Sequence, residues 1–149
     1  MLLKITSEIK SFLDSQKLGY VATVSSAGKP NISPKGTIIA WSENFLAFAN
    51  IRSPDTMHNL ENNPFVEINV IDPLYRKGYL FTGTAKIIKD TSEYNEIVNH
   101  YRNKGIESPI NSIVLVEVSF ISKVTSPLYD LGKTEDEIKL KWKKFFSDL

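Results

Sequence analysis

No cysteine occurs among the 149 residues. That removes disulfides, thiolate metal sites and a cysteine nucleophile together. Charge of one sign is equally scarce: 18 basic and 17 acidic side chains leave a net +1, so no global field draws the chain to nucleic acid. Only two histidines are present, His58 and His100. They fall on separate predicted helices with no carboxylates at ligand spacing, so no metal site is expected. There is no phosphate-binding glycine loop, dinucleotide fingerprint or nucleophile elbow. No apolar run is long enough to span a bilayer, and the N-terminus has neither the apolar core nor the cleavage site of a signal peptide. A cytoplasmic protein without a membrane partner is the expectation.

What is present is ordinary globular composition, 42% hydrophobic and 23% charged, and it predicts one domain over residues 1–149. Ile5, Ile9, Phe12 and Leu13 recur at helical spacing and predict a short helix near 3–15. Tyr20–Val24 and Asn31–Trp41, around a glycine-containing turn, read as a hairpin. Further strands are predicted at 45–50, at Phe65–Asp72 with alternating apolar positions, at Tyr79–Ile88, and at Ser112–Val124 as a nearly continuous apolar run. Asp90 with Glu93 reads as a capping box for a helix carrying Tyr94, Ile97, Val98 and Tyr101. Thr134 with Glu137 caps a last helix, a C-terminal extension over about 134–149 with Ile138, Trp142, Phe145 and Leu149 on one stripe. The short early turns imply about six mostly antiparallel strands with peripheral helices, closed or nearly closed into a barrel.

One stretch combines these elements into a ligand-binding candidate. Phe45–Ala49 reads as a strand, Asn50-Ile51-Arg52 as a polar turn, and Ser53-Pro54 as the N-cap and first position of a helix that ends near Asn62-Asn63-Pro64. A helix N-terminus beside an arginine favours phosphate, because free backbone N–H groups and the helix dipole both attract negative charge. A chain poor in acid–base machinery but equipped with such a cradle suits a cofactor that carries the reactivity itself.

The residues also resemble a family. Ser33-Pro34-Lys35-Gly36-Thr37, the turn Ala49-Asn50-Ile51-Arg52-Ser53-Pro54, and Asn59-Leu60 before Asn63-Pro64 are similar to pyridoxamine 5'-phosphate oxidase-like flavin-binding split barrels. Val70–Pro73, Arg76–Tyr79, Thr82–Ala85 and Ser126–Gly132 resemble one small branch of that superfamily. The resemblance implies a mainly β, six-stranded antiparallel split barrel and a homodimer with FMN in clefts between protomers. It implies that Lys35, Gly36 and Thr37 line the cofactor, with Ala49, Asn50 and Ile51 beside the ribityl chain and ring. Arg52, Ser53, Thr56 and Asn59 would hold or frame the phosphate, and Arg76, Lys77 and Tyr79 would reach the cofactor from the other protomer.

Asp55 departs from the pattern, since many relatives carry a basic residue there. Either Arg52 and Lys35 supply the positive charge, or FMN binds weakly, or the site stays empty. The resemblance implies a flavin oxidoreductase acting by hydride transfer on a small-molecule substrate. The alternatives are a deazaflavin-dependent reductase and a non-catalytic flavin- or haem-binding protein. Pyridoxamine phosphate oxidation itself is not expected, because no second set of phosphate-binding arginines is evident. Lys139, Lys141, Lys143 and Lys144 fall on the polar sides of an amphipathic helix with acids such as Asp136 and Glu137 and read as a solvated face, not a nucleic-acid surface.

Overall fold

The computed structural model describes residues 3–149. Met1 and Leu2, part of the predicted domain span, lie outside the described residues. The chain runs α1 (Ser7–Ser15), β1 (Gly19–Val24), β2 (Pro30–Lys35), β3 (Ile39–Ala40), β4 (Phe45–Asn50), α2 (Pro54–Asn62), β5 (Phe65–Asp72), β6 (Lys77–Ile88), α3 (Ser92–Asn103), β7 (Ser112–Thr125) and α4 (Glu135–Ser147). The strands form one antiparallel sheet in the order β2-β1-β5-β6-β7-β4-β3. It is curled into a half-barrel of the split-barrel type.

Seven strands replace the expected six, and the reason is local. The predicted run Asn31–Trp41 is interrupted at residues 36–38. Its first part, β2, pairs with β1 at one sheet edge; its remainder, β3, pairs with β4 at the other. The break is held by side chains. Thr37 Oγ1 accepts the Ala49 N–H at 3.0 Å, and the Tyr101 hydroxyl donates to the Thr37 carbonyl at 2.7 Å. One segment thereby ties the two edges of the curled sheet together.

The apolar run at 112–118 is explained by two cores. Val114 and Val116 face a cluster with Val21, Phe48, Ile68 and Phe81 under α1, while Ile113 and Leu115 face Ala47, Ala49, Ile97 and Tyr101 under α3. Each fully buried side chain of this size contributes about 1.5–3 kcal/mol. Beyond residue 118 the strand alternates buried and open positions, so it is covered on both faces only over its first half.

Helix starts follow the sequence with corrections: the helix expected near 3–15 begins at Ser7, leaving Ile5 before it. Thr6, Thr91 and Thr134 cap α1, α3 and α4 through side-chain bonds, and the Thr134–Glu137 capping box is complete. Asp90 does not cap α3: it sits at φ 58° in the left-handed region, and Thr91 does the capping. Glycine is obligatory at Gly78, where a Cβ would collide with the Val70 carbonyl of the neighbouring strand. Among the described residues no helix is long and apolar enough to cross a membrane.

Candidate functional site

The site forms where β4 leaves the sheet. Asn111 clamps the turn, its N–H donating to the Asn50 carbonyl at 2.9 Å and its Nδ2 to the Ile51 carbonyl at 3.1 Å. Asn50 Nδ2 donates to Ser112 Oγ at 3.1 Å. The turn is therefore hydrogen-bonded through Ile51, and Pro54 starts α2 as expected.

Ser53 occupies the N-cap position but does not cap with its side chain. The three threonine caps have ψ between 162° and 167°, whereas Ser53 has ψ 67°. That rotation turns its hydroxyl away from the first-turn amides. Ser53 is 7% exposed, and its buried Oγ has no hydrogen-bond partner. A native protein rarely leaves a hydroxyl in this state, because desolvating it without a partner costs about 1–3 kcal/mol.

Lys35 lies across the same opening and is 8% exposed. Its Nζ donates to Ser33 Oγ at 2.5 Å and to the Pro34 carbonyl at 3.5 Å, and it joins no ion pair among the described residues. Desolvation holds its pKa below the ordinary lysine value. Together Lys35, Gly36, Thr37, Ile51, Arg52 and Ser53, with Pro34, line one open cleft of about 430 Å³. Six sequence candidates thus meet around a desolvated cation, an exposed guanidinium, a helix N-terminus and an unpartnered hydroxyl. Such a set has the chemistry that suits an anion.

The fold and this cleft can be set beside known proteins. The family model for pyridoxamine 5'-phosphate oxidase matches residues 5–120. The chain belongs to that family. Among curated proteins none matches it by sequence. The crystal structure of HupZ from Group A Streptococcus is 30% identical, with a TM-score of 0.73, covering 82% of this chain and 95% of HupZ. An FMN-binding protein from Syntrophomonas wolfei shares the fold at 13% identity and TM-score 0.68, covering 79% of this chain and 84% of its own. A structure described as an F420 reductase does so at 24% identity and TM-score 0.60, covering 78% and 98%.

In this family member the remaining candidates lie elsewhere. Thr56 and Asn59 point from α2 into the barrel: Thr56 accepts from Asn31 Nδ2 at 3.4 Å, and Asn59 Nδ2 donates to Thr23 Oγ1 at 3.0 Å. Both are buried, and neither lines the cleft. Ala49 is buried too, and its N–H is taken by Thr37. Lys77 and Tyr79 line a second cavity of about 240 Å³ with Glu8, Phe12 and Lys123, which shares no residue with the first. Arg76 stacks on Trp142, 3.5 Å from the ring centroid.

Pro34, Tyr101 and Asn111 also shape the cleft, and the sequence does not mark them as site residues. Tyr101 carries a helical-spacing signal for burial but none for its bond to Thr37. Asn111 carries no signal, because only the pairing of β4 with β7 brings it to the turn.

Proposed function

We propose that this protein binds FMN, its phosphate seated in the Lys35–Thr37/Ile51–Ser53 cleft, and acts as a flavin-dependent oxidoreductase. The observation that carries the reading is the buried, unpartnered Ser53 hydroxyl opposite a buried lysine without a counter-charge. Both defects are resolved by one phosphate. Lys35 and Arg52 would neutralise it, Ser53 Oγ would donate to it, and the first turn of α2 would add backbone N–H groups. When bound, FMN supplies hydride transfer at its ring. This chain's Gly36 and Ile51 would line the ring and leave a face of it open to a substrate.

Asp55 is exposed on the first turn of α2. Its repulsion of a phosphate through solvent is about 1 kcal/mol, smaller than the sum of two charge-assisted bonds at roughly 1.5–3 kcal/mol each. The cleft therefore favours the phosphate on balance. A deazaflavin carrying the same phosphate would satisfy the same groups, and it is the second reading.

A homodimer fits the surface. By register Tyr20, Ala22 and Val24, then Ile32 and Pro34, then Phe65 and Glu67 share the outer face of the β2-β1-β5 strands. Ile32 is 67% and Phe65 69% exposed, which is costly for a monomer in water. Pro34 belongs both to this face and to the cleft, so a second copy seated here would border the bound ring. The deciding experiment incubates purified protein with excess FMN or deazaflavin and removes the unbound ligand. A retained flavin band near ~450 nm that is released on denaturation supports the reading. A protein colourless after both incubations overturns it.

A further inference from the structure

The last helix meets the barrel through a small contact. Ile138 is the one buried residue of α4, whereas Leu140, Phe145 and Phe146 remain exposed. The contact centres on the corner Tyr75–Lys77. The Arg76 guanidinium stacks on Trp142, Lys77 is ion-paired with Glu135, and Lys139 Nζ donates to the Tyr75 hydroxyl at 3.0 Å. The Tyr129 hydroxyl donates to the Tyr75 carbonyl at 2.6 Å. Arg76 itself sits at φ 54°, a left-handed conformation that a side chain of this size rarely adopts.

Two observations make the docking of α4 conditional. Among the described residues three side-chain polar atoms are buried without a partner, and two of them, Arg76 Nε and Trp142 Nε1, lie in this one stack. Each has given up water for no hydrogen bond, which offsets part of what the stacking contributes. The Lys77–Glu135 pair is exposed on both sides, so salt weakens it. Apart from buried Ile138 and the Lys139–Tyr75 bond, the contact is thus built from groups that lose little on separating. It also immobilises two cations, Arg76 and Lys77, which lie within the matched residues 5–120, against a helix that lies beyond them.

We propose that α4 is a releasable latch: docked, it holds Arg76 beneath Trp142 and Lys77 against Glu135; released, it frees both cations to meet an anionic ligand. The identity of that anion, a flavin phosphate held by a second copy, rests on the function proposed above; the release itself does not.

The test uses the full chain with Trp41→Phe, which leaves Trp142 as the sole tryptophan. Hydrogen exchange is followed in α4 and in the β5-β6-β7 ladder, with and without Glu135→Gln. The latch predicts that α4 amides exchange faster than the ladder, and that Glu135→Gln accelerates them by up to about fivefold, the upper end for an exposed ion pair, while the ladder is unchanged. Inorganic phosphate should raise acrylamide quenching of Trp142 above that in chloride of equal ionic strength. Amides of α4 that exchange no faster than the ladder overturn the latch, as does equal quenching in phosphate and chloride. A chain whose Trp142 responds to phosphate but which retains no flavin supports the latch and refutes the flavin reading alone.

Discussion

At the scale of single residues, Thr37 and Tyr101 hold the break between β2 and β3. Replacing Thr37 by valine keeps the shape but strands the buried Ala49 N–H, so Thr37→Val should lose about 1–3 kcal/mol in urea unfolding. Tyr101 leaves a pH signature. Burial pushes its phenol well above the ordinary 10.0, so the folded state keeps the proton that the unfolded chain releases. Stability is therefore complete below pH 10.0 and falls as the pH rises beyond it. Tyr79 and Tyr129 are shifted in the same direction and contribute the same sign. Tyr101→Phe should flatten this alkaline decline in pH-dependent unfolding without abolishing it; an unchanged slope contradicts the assignment. Spacing marks Tyr101 as buried, but its hydroxyl finds Thr37 only through a contact 64 positions away in the chain.

At the scale of elements, most of the fold is legible because periodicity and caps act locally. The alternation of Val66, Ile68 and Val70 reads as β5, and the Thr134–Glu137 box starts α4 as it should. Two features escape local reading. The single predicted strand 31–41 becomes β2 and β3 because tertiary bonds at Thr37 redirect the chain. The cap of α3 shifts by one position because Asp90 adopts left-handed geometry, which leaves Thr91 to bond the Tyr94 amide. Thr91→Ala should therefore cost about 1 kcal/mol, whereas Asp90→Gly should be neutral or stabilising. Paired urea melts check the contrast, and the opposite order would restore Asp90 as the cap. Ser53 is the same lesson at α2: its identity marks a helix start, but ψ decides whether the hydroxyl caps.

At the scale of the whole molecule, sheet curvature does what sequence order cannot. It brings Lys35, at the end of β2, against Ile51–Ser53, at the end of β4, and leaves Lys77 and Tyr79 in a separate cavity. The resemblance brings both groups to one cofactor, which within a single chain they do not share; a second copy would reconcile them. Ile32→Lys with Phe65→Glu on the outer face should shift the mass by light scattering from dimer to monomer at micromolar concentration. A wild-type protein already monomeric there contradicts the dimer. The central claim is that Ser53 and Lys35 wait for a phosphate. Calorimetric titration of FMN into wild type and Ser53→Ala, with urea melts of both ligand-free proteins, tests it most directly. Ser53→Ala should bind FMN more weakly by roughly 1.5–3 kcal/mol and have ligand-free stability equal to or above wild type, because an unpartnered hydroxyl is removed. Unchanged FMN affinity, or a destabilised ligand-free variant, would contradict it.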